Sequence, residues 1–359
     1  MQSSVPSTTR RHAPDHEELI HHHDPATGLR ALVAIHSTVL GPALGGTRFH
    51  PYPDEESAVY DVLALSRAMT SKSAAAGLDL GGGKAVIIGD PRERTEAMMR
   101  AYGRFLASLD GRYITACDVG TTVADMDLIA QETEHVVGRS TGHGGSGDSS
   151  ELTAYGVLQA MRAAVQESFG SPDLGGRRIG IEGVGKVGLR LAVQLTSVGA
   201  QVVLYDVSPD ALRQLPDRLG PVEIAAGPAE LRAWDLDIYA PCGMAHDLDE
   251  ADADTLSARI VCGGANNPLT GPAAARALHD RGILYVPDFI ANAGGLIQVA
   301  DELEGFSMAR ARRRATGIRA TTTEVLKSAA QHAVPPTVAA TWLVEDRLAN
   351  AGARKAAGR

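Results

Sequence analysis

Three glycines at fixed spacing, in Gly183-Val184-Gly185-Lys186-Val187-Gly188, constrain this chain more than any other feature. Alone the GxGxxG spacing is weak, because glycine-rich turns are common. Here it follows Arg178–Glu182, which reads as a strand, and opens 187–197, which reads as a helix. In that context Gly183 permits a tight turn, Gly185 lets a pyrophosphate approach the backbone, and Gly188 lets helix and strand pack closely. Phosphates then meet the unpaired N–H groups of the helix N-terminus. Asp206 ends the next strand, 201–206, where its carboxylate can accept both ribose hydroxyls. A 2′-phosphate would be repelled there, so the pattern favours NAD over NADP. Apolar segments at 236–240, 259–263 and 283–287 continue a strand–helix alternation, as in a doubly wound α/β sheet.

At 359 residues the chain is too long for one ordinary core, and two domains are expected. A formal net charge of -9 argues against a phosphate-backbone partner, which needs a basic face. The one dense basic run, Arg310, Arg312, Arg313 and Arg314, reads as a solvated helix face. Cys117, Cys242 and Cys262 form no CxxC pair and suit reduced thiols in a cytoplasmic protein. No apolar run approaches the roughly 20 residues of a membrane span, and the N-terminus has no apolar signal region. Residues 1–18 read as a disordered leader. His21, His22 and His23 have no acidic or cysteine partner at ligand spacing, so no metal site is expected.

Upstream of the glycine motif, 30–36 reads as a strand, followed by a glycine-rich turn from Gly41 to Gly46. Asp54 can cap a helix running to about Met69. A second glycine turn, Gly81-Gly82-Gly83, precedes a buried strand, Ala85 to Ile88; helix 96–109 and strand Tyr113 to Cys117 follow. The Gly/Ser-dense segment 138–148 is the expected hinge. The architecture is therefore an N-terminal α/β substrate domain, 19–147, and a Rossmann-type NAD-binding domain, 148–334, separated by a cleft. A last helix, 335–350, is introduced by Pro335-Pro336 and packs back on the first domain; the tail after it is expected to fray.

Lys84 stands between three glycines and the apolar run AVII. The surroundings are too apolar for an ordinary exposed loop, and an amine held there could serve as a base. The glycines would allow a close backbone approach by a substrate. Asp118 closes a strand in TACDVGT and could supply a second proton-transfer group or merely cap a turn.

The segments HDPATGLRALVAIHSTVLGPALGGTRFHPY, MTSKSAAAGLDLGGGKAVIIGDP, YITACDVGTTVADMD, GVGKVG, CGGANN and PDFIANAGGLIQVADEL resemble the glutamate/leucine/phenylalanine/valine dehydrogenases. The likeness runs over roughly 20–345 in order, with the actinobacterial valine dehydrogenases most similar. It implies NAD-dependent oxidative deamination of an apolar, branched-chain L-amino acid to its 2-oxo acid, in a homo-oligomer. Lys84 and Asp118 would be catalytic, and Lys72 would pair with the substrate carboxylate. Gly45 and Gly46 would line the site, Asn266 and Asn267 would hold nicotinamide and substrate carboxylate, and Thr153 would contact the nicotinamide. The glutamate enzymes carry a Lys just before the paired glycines and a Ser after NAGG; here those positions are Leu44 and Val299. A pocket of Leu44, Ala116, Leu296 and Val299 offers no partner to a second carboxylate, which excludes glutamate. The chain departs from the family pattern at 241–248, including His246, which reads as a loop histidine. An aromatic amino-acid dehydrogenase, or a catalytically impaired NAD-binding homologue, are the competing readings.

Overall fold

The computed structural model describes residues 5–243 and 248–357, and its chain divides into two compact units. Unit 1 comprises Met1–Asp148, Gln298–Met308 and Glu345–Arg359; unit 2 comprises Ser149–Ile297 and Ala309–Val344. Each holds one six-stranded sheet.

Unit 1 contains β1 (Ser7–Ala13), β2 (His16–Asp24), β3 (Leu29–Ser37), β4 (Ala43–His50), α1 (Glu55–Ala75), β5 (Gly81–Ile88), α2 (Glu96–Ala107), β6 (Tyr113–Cys117) and α3 (Val123–Ile129). The sheet order is β1-β2-β3-β5-β4-β6, with β4 parallel to both β5 and β6. Alternation divides β5: Ala85 and Ile87 join a core with Met99, Tyr102 and Phe105 of α2, while Val86 joins Ala58 and Val62 of α1 on the other face. Lys84 therefore projects to the α1 side. Asp54 caps α1 by accepting from Ser57 N–H, and Glu55, Glu56 and Lys72 complement the helix dipole.

Three expectations need correction here. Residues 7–18 are not a loose leader: β1 pairs with β2 from Ser7↔His23 to Ala13↔His16. An edge strand needs only ladder partners, so its polar composition gave no strand signal. Gly45, Gly46 and Gly81–Gly83 lie inside β4 and β5 rather than in turns. A Cβ on Gly82 would stand 2.1 Å from Thr70 N, and one on Gly45 would stand 1.8 Å from the Gly83 carbonyl oxygen. These glycines admit a helix and a neighbouring strand, and the close approach expected of a substrate belongs to the protein itself. Finally, segment 138–148 is pinned within unit 1. Buried Glu302 accepts from Gly138 N–H at 3.0 Å and Ser146 N–H at 2.8 Å, and buried Gln298 donates to the Ser146 carbonyl at 3.0 Å. Glycine density suggested a hinge; a distant carboxylate supplies the anchors.

Unit 2 runs through α4 (Ser150–Phe169), β7 (Arg178–Glu182), α5 (Lys186–Ser197), β8 (Gln201–Tyr205), α6 (Pro209–Arg213), β9 (Glu223–Ile224), α7 (Pro228–Ala233) and β10 (Ile238–Pro241). It continues with α8 (Glu250–Thr255), β11 (Ile260–Val261), α9 (Pro272–Asp280), β12 (Leu284–Tyr285), α10 (Asp288–Ala291), α11 (Gly294–Asp301), α12 (Met308–Thr316), α13 (Ile318–His332) and α14 (Pro336–Ala357). The sheet is wholly parallel in the order β12-β11-β10-β7-β8-β9. Strand order reverses between β7 and β10, the switch point where doubly wound sheets bind ligands.

Helix α11 enters unit 1 at Gln298, and α14 enters it at Glu345. The C-terminal half of α14 is fixed there by Arg347 Nη1 donating to the Ala74 carbonyl at 3.0 Å and Lys355 Nζ to that of Thr38 at 2.8 Å. The helix thus persists through the tail expected to fray.

Candidate active site

In unit 1 the site grows from strand register. Gly46 on β4 faces Ala116 on β6, Thr47 faces Ala85 on β5, and Lys84 is the residue before Ala85. Asp118 follows β6 directly. Its Oδ2 lies 2.8 Å from Lys84 Nζ and 3.2 Å from Arg48 Nε. A Cβ on Gly46 would come within 2.9 Å of Asp118 Cβ, so only glycine leaves room for this carboxylate. The Asp118 N–H donates to Thr121 Oγ1, which itself donates to the Thr47 carbonyl, tying the acid to β4. Burial alone would raise the Asp118 carboxyl; the Lys84 ammonium, as charge and hydrogen-bond donor, and then Arg48 hold it below the ordinary carboxylate range. Asp118 is thus a carboxylate here, and a proton reaches it only when its cations are rearranged.

Lys72 is half-buried near the end of α1, between Thr70, which abuts Gly82, and Ser73, which donates to the Gly81 carbonyl at 3.3 Å. The expected pocket residues differ in access. Ala116 and Leu296 are nearly buried and Val299 is half-buried, but Leu44 has no accessible surface in this conformation. Leu44 supplies bulk without a surface for ligand. Leu296 belongs to unit 2, whereas Val299 belongs to unit 1.

In unit 2 the glycine motif sits as its spacing requires. Gly183 adopts φ +100° and packs against Gly243, and Gly188 packs on the Gly183 carbonyl. Among the described residues, a Cβ on Gly185 would meet nothing within 4 Å, so this glycine leaves open space at the start of α5, whose N-terminus has no side-chain cap. Val184 N–H donates to Asp206 Oδ2 at 2.6 Å and Ser208 N–H to Oδ1 at 2.8 Å. The carboxylate oxygens retain lone pairs for two hydroxyls. Lys186 is exposed at the helix start, and Val187 Cγ1 packs beside Gly264. This donor set and open cradle fit a dinucleotide.

Thr153 Oγ1 donates to the Ser149 carbonyl and stands 2.7 Å from where Gly295 would carry a Cβ, which explains NAGG as helix packing. Asn267 is exposed with φ +47°, and its N–H donates to Asp288 Oδ2 at 2.9 Å. Asn292 Nδ2 donates to Asn266 Oδ1 at 2.9 Å, so a buried asparagine orients an exposed one. Arg48 and Asn292 were missed as site residues although both lie in the quoted segments: an arginine in a strand and an asparagine before two glycines carry no chemical signature by spacing. Half of the departure at 241–248, residues 244–247 with His246, lies outside the described residues.

Among the described residues no group of three His, Cys, Asp or Glu is placed to hold a metal ion, and no helix is long and apolar enough to cross a membrane. His21 Nδ1 lies 3.1 Å from Glu55 Oε1, and His22 stacks on Phe105. Burial pushes the Cys117 and Cys242 thiols up to about 12, and neither these nor Cys262 is in a disulfide.

Comparison with known proteins adds the family. Residues 16–135 match the model for the Glu/Leu/Phe/Val dehydrogenase dimerisation domain, and 144–208 and 210–355 match that for glutamate/leucine/phenylalanine/valine dehydrogenase. The chain is 52% identical over 342 residues to a valine dehydrogenase of Streptomyces albus, covering 95% of this chain and 94% of that one. It is 44% identical over 335 residues to a leucine dehydrogenase of Bacillus subtilis, covering 93% and 92%. The crystal structure of L-tryptophan dehydrogenase from Nostoc punctiforme superposes with a TM-score of 0.83 at 38% identity, covering 94% of this chain and 96% of that one. The parallel sheet with its glycine turn, the close lysine–aspartate pair and these matches agree: the chain belongs to the glutamate/leucine/phenylalanine/valine dehydrogenase family of amino-acid dehydrogenases, whose chemistry implies a nicotinamide cofactor.

Proposed function

We propose that this protein oxidatively deaminates a branched aliphatic L-amino acid, valine-like in size, to its 2-oxo acid, using NAD. The observation that carries the reading is the Lys84 Nζ–Asp118 Oδ2 pair, 2.8 Å apart. Lys72 pairs with the substrate α-carboxylate, and Asn267 steadies it. The cofactor, held by Gly183 to Gly188, Thr153 and Asn266, would supply a hydride acceptor for the substrate Cα. Lys84, its proton first passed to Asp118 across their contact, takes a proton from the water that attacks the resulting iminium carbon; Asp118 gives its proton to the departing amino group and accepts the carbinol proton as the carbonyl forms. Ammonia leaves, and the 2-oxo acid remains. A 2.8 Å contact is short enough for direct proton transfer between the two side chains.

Asp206 selects NAD, because a 2′-phosphate would bring negative charge against its carboxylate. Gly183 to Gly188 hold the pyrophosphate, with Thr153 and Asn266 at the carboxamide end. For the substrate side chain, Ala116 and Val299 of unit 1 are the apolar residues with accessible surface, and Leu44 has none. A glutamate γ-carboxylate would be desolvated there without a partner, at a cost of several kcal/mol. The valine and leucine dehydrogenase names of the similar proteins support the same substrate class.

NADH formation at alkaline pH with valine, leucine, isoleucine, phenylalanine and glutamate tests this. Branched substrates should lead, with about ten- to a hundredfold loss per methylene mismatch. Glutamate within a factor of ten of valine would refute the pocket argument, and phenylalanine as clear favourite would move the assignment to aromatic substrates. The dimerisation-domain match further supports a homo-oligomer; a single-chain mass by light scattering would overturn that.

A further inference from the structure

Asp118 Oδ2 receives two cations at once, Lys84 Nζ from β5 and Arg48 Nε from β4. Arg48 is not used up by that contact. Its Nη1 donates to Asp61 Oδ2 of α1 at 2.8 Å, and Tyr52 OH, just after β4, closes on the same oxygen. The formal charges of Lys84, Arg48, Asp118 and Asp61 cancel. All four side chains are at most one-quarter exposed, so the balance is not left to solvent. The guanidinium fork addresses two carboxylates in different directions, which one ammonium cannot do.

We propose that Arg48 is a positioning residue of the reaction, which fixes the Asp118 carboxylate and keeps it able to give up the proton it relays when Lys84 turns to the substrate. The inference rests on the reading of Lys84 and Asp118 as the proton-transfer pair. Each turnover asks Lys84 to leave a 2.8 Å contact. A partly buried carboxylate left with no cation would hold a proton too tightly to pass it on, and would swing. Arg48 prevents both, and Asp61 prevents Arg48 from following Lys84. The groups around Asp118 are Lys84 on β5, Arg48 on β4, and Tyr113 and Cys117 on β6, with Asp61 and Tyr52 behind Arg48. Burial keeps Tyr113 and Cys117 protonated, so the only cations in this set are the lysine and the arginine.

The test uses the full-length enzyme with its preferred amino acid and NAD. Arg48→Met should lower kcat by roughly ten- to a hundredfold with little change in KM, and should move the acid limb of kcat/KM up by about one pH unit. NADH affinity should be unchanged. Arg48→Lys should restore the acid limb but only part of kcat, because the fork is lost. Asp61→Asn should move the acid limb the other way, to lower pH, since Arg48 then bears on Asp118 undiluted. A folded Arg48→Met with wild-type kcat, or with reduced kcat and an unmoved acid limb, overturns the proposal in favour of a passive strut between β4 and α1. Should Arg48→Met not fold, Asp61→Asn and Arg48→Lys decide: an unshifted limb in the first, or full kcat in the second, overturns it. Lys84→Ala separates the two levels. If it keeps more than a tenth of wild-type kcat, the underlying reading of the pair has failed rather than the role of Arg48.

Discussion

Asp118 and Asp206 occupy equivalent places, each just past the C-terminal end of a parallel strand, and they are treated in opposite ways. Asp118 sits against two cations, Lys84 and Arg48, in a cluster whose formal charges cancel. Among the described residues, Asp206 accepts from two backbone N–H groups, those of Val184 and Ser208. Backbone donors orient a carboxylate and leave its full charge in place. Cationic partners neutralise it and give its neighbours somewhere to send a proton. The first arrangement suits a group that discriminates by charge, and the second suits one that takes part in chemistry.

Removing the cation tests the sharper half of that contrast and should have the largest effect. Lys84→Ala should lower kcat by about 10²–10⁴-fold, the range of a positioned acid–base group, while NADH binding, measured by fluorescence titration, stays at wild-type strength. More than a tenth of wild-type kcat would break the comparison at its root. The second expected effect is on the other carboxylate. Asp206→Ser should cut the preference for NAD over NADP in kcat/KM by roughly tenfold or more, through loss of repulsion at the 2′ position. Near-equal use of both cofactors by the unmodified enzyme would show that Asp206 does not discriminate.

Glycines extend the comparison to the backbone. Gly82 in unit 1 is needed by the protein itself, because a Cβ there would collide with Thr70 N at 2.1 Å. At Gly185 in unit 2 a Cβ would meet nothing within 4 Å among the described residues. Gly82→Ala should therefore destabilise by roughly 1–3 kcal/mol, the usual range for overpacking, seen as a lower Tm. Gly185→Ala should leave Tm unchanged and weaken NADH binding. An equal Tm loss in both variants would remove the distinction.

These contrasts mark what could be read from sequence. The glycine motif, its flanking strands and Asp206 were legible because they are consecutive along the chain and their spacing encodes one local geometry. Lys84 stood out by the apolar run after it, and Asp118 only by closing a strand. Arg48 could not be recognised this way. Its partners lie 13 and 70 positions away, on α1 and after β6, and only the sheet order brings them together. Glu302 was illegible for the same reason, being 164 positions from Gly138. The strand glycines misled because turn propensity and close packing ask for the same residue.

The smallest effect expected concerns acid stability on the unit 1 side. His36 Nδ1 lies 2.8 Å from Thr70 Oγ1, and its ring meets His16 edge-on at 4.8 Å. Burial, then the neighbouring His16 and Arg67, lower its pKa from 6.5 to about 4. Above 6.5 the folded and unfolded chains both carry a neutral imidazole, and the stability of that arrangement is complete. Between 6.5 and about 4 the unfolded chain binds a proton that the folded chain refuses, so stability falls as pH falls through this window. Below about 4 both states are charged and the loss stops. Because His36 is only half-buried, solvent screens much of the effect. Carboxylates titrate near the lower end too, so the diagnostic quantity is the difference in Tm between wild type and His36→Asn, followed from neutral pH to pH 4. That difference should shift steadily in favour of the variant as pH falls. A difference independent of pH would show that His36 titrates as freely in the folded chain as in the unfolded one. Since the Thr70 N that abuts Gly82 belongs to the same residue, the acid weakening should reach the Lys84 strand and leave the Asp206 loop untouched, with NADH affinity at low pH the same in both proteins.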